Sequence, residues 1–369
     1  MTQRIILNLL KVITSIMFIC FLLFFSNNKV YINYDSIPYA ASSYLLKNND
    51  KDLAHKYAWN LLETKVSPEI FQNLCCSTEY RLSMAENKTA FFSHLPAYTT
   101  KSGYIFLIRL VSDTMKVDEY VAMKLITNIS VVLITLLACM YFINKSLFIY
   151  LSIFPILLIS QILGLGRLLT PDALIALILL GSSCLLVSNR FFFGYALMLF
   201  SILLRPINII FFSMACLIFL QRVEFKKFFI MISLGIILYF LNSWYFGSLG
   251  YWKHFYSNLI YLPSTFIDFN PTFSFNLYLN VLRDKFFWMI ASPELNRFVG
   301  IILLNSMLSS FAIYKRMQDK HNEIFVAALL SYGTVCSFIL FPVPDHRLYS
   351  GLVIASSLML LSGFTRKLN

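Results

Sequence analysis

The ionisable groups best placed to do chemistry lie at the ends of apolar runs, where a charge is tolerated if water, a partner or a ligand meets it. Asp35 stands in Tyr31–Tyr39, YINYDSIPY, just past the apolar run Ile5–Phe25. Asp-Ser followed by Pro38 is good turn chemistry; the sharper reading is a carboxylate that orients an acceptor hydroxyl or takes its proton. In GRLLTPD, Thr170-Pro171-Asp172 can start a helix, with Thr as cap, Pro first and Asp in the first turn. The same helix end would then face the cavity that Asp35 borders. Arg167 has no local role beyond snorkelling. Arg205 interrupts an apolar run beside Pro206. Its fork of donors suits phosphate oxygens, and an ion pair with Asp172 or Asp345 is the competing reading. Asp345-His346-Arg347 follow Pro342 and Pro344. They read as a loop that positions a phosphate or sugar, or as a plain exposed loop, and they lack the context of a nucleophile elbow.

The remaining candidates are weaker. His94 precedes Pro96, and a lone histidine is more often structural than a ligand. Cys75 and Cys76 are adjacent and are expected to be free, because vicinal pairing strains a disulfide. Cys20, Cys139, Cys184, Cys216 and Cys336 lie in apolar runs, where a thiol acts as a small hydrophobe. No Cys/His spacing suggests zinc, and no DxD pair lies near Asp35. Asn87-Lys88-Thr89 fits a glycosylation acceptor pattern, which matters only in a eukaryotic secretory compartment.

What positions these groups is an apolar scaffold. The chain has 369 residues, 58% hydrophobic, 17% aromatic and 13% charged, with a mean hydropathy of +0.70. A soluble domain could not hide that much apolar surface, so an all-α polytopic membrane protein is expected. The formal charge of +12 fits positive-inside bias and anionic lipid rather than nucleic acid. Ten apolar runs follow one another: Ile5–Phe25, Glu119–Ile143, Leu147–Leu165, Ala173–Val187, Phe191–Leu204, Ile207–Leu220, Phe228–Gly247, Phe298–Tyr314, Ile324–Phe341 and Tyr349–Phe364. Those on either side of Arg205-Pro206 are half-length, because proline cannot continue the helix. The expected divisions are a first transmembrane helix (1–25), a long first extracytoplasmic loop (26–118), a transmembrane core (119–247), a second extracytoplasmic loop (248–296) and C-terminal transmembrane helices (297–369). Within the first loop, Asp52–Leu62 and Tyr104–Met115 read as short interfacial helices.

Alternating sides from a cytoplasmic N-terminus puts Lys145, Arg190, Arg222, Lys226, Lys227, Lys315, Arg316, Lys320, Arg366 and Lys367 inside, in keeping with the positive-inside rule. Lys11 snorkels toward that side, and both termini are cytoplasmic. Asp35, Arg167, Asp172, Arg205, the Ser248–Asn296 segment and Asp345–Arg347 then all fall outside. No small-residue cleavage site follows the first run, so a retained signal anchor is expected.

Four stretches, in order, resemble the GT-C superfamily of membrane glycosyltransferases, in particular the dolichyl-phosphate-mannose and aminoarabinose transferase-like group. NYDSIPY resembles the acidic first-loop motif, with Asp35 at the acidic position. His94-Leu95-Pro96, followed by YIFLIRLVSDTMKVDEYVAMKL, resembles the His-Pro-Pro segment, interfacial helix and second span, with Leu95 departing from the usual proline. GRLLTPDALIAL and LLRPINIIF resemble the Pro-Asp turn and the broken helix pair. The resemblance covers roughly the first 220 residues. It implies a GT-C-like bundle of about ten apolar segments in a bacterial inner membrane. It also implies transfer of a sugar from a polyprenyl-phosphate carrier to a lipid, glycan or protein acceptor on the outer face. Asp35 would activate the acceptor, and Arg205, Arg167 and Arg347 would hold the leaving phosphate. Asp172 would be supporting or would touch the sugar, and His346 and His94 would join the substrate contacts. No cofactor is required; a divalent metal is used by some members of the family. The competing readings are an O-antigen or capsule polymerase, which usually keeps its large loop later in the chain, and a non-enzymatic transporter of lipid-linked glycans. The latter would want midplane charges and an internal repeat.

Overall fold

The computed structural model describes residues 2–28, 30–314 and 322–365. Lys315, Arg316, Lys320, Arg366 and Lys367 lie outside the described residues. In chain order the helices are α1 (Thr2–Asn28), α2 (Ser36–Asn48), α3 (Lys51–Lys65), α4 (Pro68–Cys76), α5 (Glu79–Glu86), α6 (Lys88–His94), α7 (Pro96–Thr99), α8 (Ser102–Met115) and α9 (Glu119–Phe142). They continue with α10 (Leu147–Leu151), α11 (Ile153–Ile159), α12 (Ile162–Arg167), α13 (Asp172–Val187), α14 (Phe191–Leu204), α15 (Ile209–Gln221), α16 (Phe225–Phe246), α17 (Tyr251–Leu259), α18 (Phe275–Ala291), α19 (Asn296–Tyr314), α20 (Asn322–Leu340) and α21 (His346–Thr365). Among the described residues there is no strand, only a single parallel bridge between Tyr31 and Leu168.

Six helices, α1, α9, α16, α19, α20 and α21, have segments long and apolar enough to cross a membrane. Shorter apolar helices fill the interior, among them α13, α14 and α15. On α1 and α16, Ile6, Met17, Phe24, Phe240, Trp244 and Tyr245 all stand exposed. Exposed apolar side chains of this size suit a lipid environment. The six apolar helices are compatible with a multi-pass membrane protein.

Contacts between the ends of the helices fix their directions. The Lys11 ammonium donates to the carbonyl oxygens of Ile143 and Lys145, at 2.7 and 2.6 Å. Lys11 is thus buried as a cap on the C-terminal end of α9 and does not snorkel. Near the other end, Lys124 of α9 donates to the carbonyls of Ser26 and Gly166, at 2.9 and 2.8 Å. The ends of α1 and α12 and the start of α9 therefore meet. Beside them α13 begins and α14 ends, tied by Asp172 and Arg205. Thr99 donates to the Phe246 carbonyl at 2.7 Å, which brings the end of α16 to the same place, and Tyr251 reaches the carbonyl of Leu340 at the end of α20. The polar clusters expected to share one face do gather at one end of the bundle. Packed over that end, residues 36–115 form helices α2–α8.

Three local expectations are corrected. Leu147–Leu165 is not one span but the three short helices α10–α12. Gln161, at φ 67°, is left-handed and cannot continue a right-handed helix. Thr170 does not cap α13: its hydroxyl donates to Asp172 Oδ2 at 2.6 Å, and Pro171 occupies the cap position. Cys75 and Cys76, at the end of α4, are joined in a vicinal disulfide rather than free.

Candidate active site

A cavity of about 1190 Å³ opens where these elements converge. Asp35 enters it because of the turn before α2. The Asn33 carbonyl accepts from the Ser36 amide and hydroxyl, at 3.2 and 2.6 Å, and this tightens the chain into the helix. Asp35 itself makes no capping bond. Its Oδ2 accepts instead from Arg347 Nη1 at 2.9 Å and, more weakly, from the Asn33 amide at 3.4 Å. Arg347, in the first turn of α21, is held from behind, its Nε donating to Asp345 Oδ2 at 2.6 Å.

A second carboxylate–guanidinium pair lies beside the first. The break predicted at Arg205-Pro206 is real: Arg205 is extended, at φ −157° and ψ 115°, between α14 and a short 3-10 turn, Pro206–Asn208. The Asn208 amide donates to the Ser201 carbonyl at 2.9 Å, which closes the broken end. Freed from the helix, Arg205 donates through Nη2 to Asp172 Oδ1, while Thr170 holds Oδ2. The Asp172 side chain is 1% exposed and that of Arg205 is 14% exposed, so this pair is largely shut away from water.

Asp35, Asp172, Arg205, Arg347 and His94 all line the cavity. Arg167 and His346 do not. The Arg167 guanidinium lies over the Phe25 ring, 5.7 Å from its centroid, and its carbonyl accepts from the Tyr31 amide at 2.9 Å. His346 turns toward Asp345, with Nδ1 3.9 Å from Oδ1, and its ring is 6.1 Å from that of Phe298. His94 is buried, packed 4.2 Å from Phe266 and 4.9 Å from Tyr80 between ring centroids.

The cavity also holds groups that were not expected from the sequence. Lys101, at the start of α8, donates to Tyr39 Oη at 2.7 Å and lies 5.0 Å from the Tyr39 and Tyr98 ring centroids. His254 of α17 is the second unexpected group. Lys101 sits in a polar run where one more charge carries no signal, and His254 lies in an aromatic segment read only as a loop.

Burial and the two guanidinium groups set the protonation of these groups. Burial raises the Asp35 carboxyl, but Arg347 and then Lys101 more than offset it, so its pKa falls below the usual carboxylate value. Burial pushes Lys101 down to about 8, against the opposing pull of Asp35. It pushes His94 and His254 down to about 4, so both are neutral imidazoles at pH 7. The site therefore offers an ionised carboxylate, two guanidinium groups and a partly titrating ammonium within one concave surface. That set can take up an anion and assist proton removal from a hydroxyl. Among the described residues no three His, Cys, Asp or Glu side chains gather as metal ligands. No protein family, curated protein or solved structure matches the chain.

Proposed function

We propose that the chain is a GT-C-type glycosyltransferase of a bacterial inner membrane, with about ten apolar segments and both termini cytoplasmic. It moves a sugar from a polyprenyl-phosphate carrier to an envelope acceptor on the outer face. The observation that carries this reading is the pair of adjacent ion pairs, Asp35–Arg347 and Asp172–Arg205, facing one large cavity at one end of an apolar bundle. That is where an amphiphile with an anionic head would be met. Ile175, Leu179, Phe211 and Leu352 also line the cavity and supply apolar surface suited to an isoprenoid chain.

In the proposed reaction the acceptor oxygen attacks the anomeric carbon, and the bond from that carbon to the phosphate oxygen breaks. The acceptor proton passes to Asp35, and the electron pair leaves with the lipid phosphate. Arg205, Arg347 and Lys101 neutralise the charge growing on that phosphate, a large catalytic contribution where water is scarce. Arg347 must loosen its grip on Asp35 to do so, which couples phosphate arrival to release of the base. Asp172 keeps Arg205 oriented. Arg167 and His346, which lie off the cavity, have no part in this scheme.

The test incubates the full chain in nanodiscs with radiolabelled polyprenyl-phosphate sugars and an envelope-lipid extract. Turnover by the wild type, lost in Asp35→Asn with thermal stability retained, is the expected result. Turnover that survives Asp35→Asn sinks the choice of base. No donor turned over by folded protein sinks the transferase.

A further inference from the structure

The guanidinium groups that line the cavity differ in their partners. Arg205 faces Asp172, and Arg347 faces Asp35 and Asp345. Arg81, in the first turn of α5, lines the cavity too, but all its partners are neutral. Its Nη1 donates to the Asn73 carbonyl, Asn73 Oδ1 and Ser77 Oγ, at 2.9, 3.1 and 2.8 Å. Its Nε and Nη2 find no acceptor among the described residues. Those two nitrogens form the fork that fits a pair of oxygens on a carboxylate or phosphate. The group is also held in place. Asn73 and Ser77 flank the Cys75–Cys76 disulfide, and the Thr78 hydroxyl accepts from the Arg81 amide at 3.2 Å. One nitrogen is therefore spent on anchoring the guanidinium, and the fork is left over.

The surroundings of Arg81 favour an anion. Its guanidinium lies over the Tyr34 ring, 5.6 Å from the centroid, and Tyr80 stands 5.5 Å from Tyr34 and 4.9 Å from His94 between centroids. The Tyr34 hydroxyl and His94 Nε2 are buried without a hydrogen-bond partner among the described residues. Burial raises the Tyr34 phenol and pushes that of Tyr80 up to about 12, so both keep their protons at pH 7 and can donate. Farther along the same wall the Lys101 ammonium lies 5.0 Å from the Tyr98 centroid. Of the acids nearby, Asp35 is taken by Arg347. Glu79 is exposed, and residues two apart on a helix do not face each other.

We propose that Arg81 is a second anion subsite of the cavity, separate from the guanidinium groups that meet the donor phosphate. It takes an acidic group, a phosphate or a carboxylate, that the acceptor carries in addition to the hydroxyl being glycosylated. The inference rests on the transferase reading and makes its acceptor acidic. Asp35 follows Tyr34 directly in the chain, so an acid held at Arg81 leaves the acceptor hydroxyl within reach of the base.

The test displays matched neutral, carboxylated and phosphorylated bacterial saccharides on an array and probes them with the full chain in nanodiscs. The probe is wild type, Arg81→Gln or Arg81→Lys, each first shown to melt like the wild type. The wild type is expected to retain acidic members more tightly than their neutral counterparts. Arg81→Gln is expected to weaken acidic binding roughly 10- to 100-fold and to leave neutral binding unchanged. Arg81→Lys, which keeps the charge and loses the fork, weakens it less. Should Arg81→Gln fail to fold, a selective loss of acidic binding in Arg81→Lys decides the matter. Whichever acidic arm binds tighter identifies the group as phosphate or carboxylate. No preference for acidic members, no retention at all, or a loss shared equally by neutral and acidic members overturns the inference. Donor turnover is measured on the same preparation. Turnover without a preference that depends on Arg81 overturns this inference and spares the transferase. Such a preference without turnover supports the anion subsite and sinks the transferase.

Discussion

Arg347 is the residue on which the proposed chemistry turns. It pairs with Asp35 on one side and Asp345 on the other, and it helps to hold the part-buried Asp35 carboxyl below the usual carboxylate pKa. The sign of its removal follows. Burial raises the Asp35 pKa and Arg347 opposes that, so Arg347→Ala should move the acid limb of the kcat/KM–pH profile upward from its low wild-type position. A limb that stays put would show that Asp35 is not the base. Lys101 titrates on the other side of neutrality. It is charged below about pH 8 and neutral above, so KM for the phosphate-linked donor should rise as pH passes 8. In Lys101→Met, KM should be high throughout and should lose that pH dependence. Asp35, Asp172, Arg205 and Arg347 are legible in the sequence because each charge interrupts or borders an apolar run. Lys101 and His254 are not legible, for they stand among other polar and aromatic residues and only the folded contacts single them out. His346 lies off the cavity for a simple reason: successive helical residues point about 100° apart, so the neighbour of Arg347 faces elsewhere.

At the scale of elements, the buried Asp172–Arg205 pair joins the start of α13 to the broken end of α14. Removing one partner strands the other in a dry place, at a cost of about 3–5 kcal/mol. Asp172→Ala should therefore lower the thermal midpoint in nanodiscs, and Asp172→Ala with Arg205→Met should recover most of that loss while remaining inactive. No recovery in the double variant would mean that the two side chains act independently. Helices α13 and α21 also touch through a glycine: a Cβ on Gly351 would stand 2.8 Å from the Ala176 Cα. Gly351→Val should destabilise the bundle by pushing these helices apart; an unchanged melting temperature would contradict the close packing. The Arg205-Pro206 break could be read from the sequence, since proline forbids the helical bond. The breaks inside Leu147–Leu165 could not. Pro155 lies in the first turn of α11, where proline is tolerated, and the interruption falls at Ser152 and Ser160-Gln161 instead.

For the whole molecule, apolar periodicity and the alternation of basic loops made a multi-pass bundle with one polar end legible. How residues 30–118 fold over that end was not, because short polar helices take their positions from tertiary contacts rather than from local pattern. The proposed orientation puts the site outside the cell. In a background free of other reactive cysteines, Ser248→Cys should react with a membrane-impermeant maleimide in intact cells, and Asn144→Cys only after lysis; the opposite pattern would invert the topology. The Asp35–Arg347 pair joins residues 312 positions apart. Its two halves leave the ribosome almost a full chain length apart in time. In the proposed orientation the first loop is already outside during synthesis while its counter-charge has yet to be made. A chain that stops short of the last helix lacks the guanidinium that pairs with Asp35, and only insertion of that helix completes the pair. The ion pair thus marks a finished chain: on the proposed reading, sugar transfer begins only once the final span is in place.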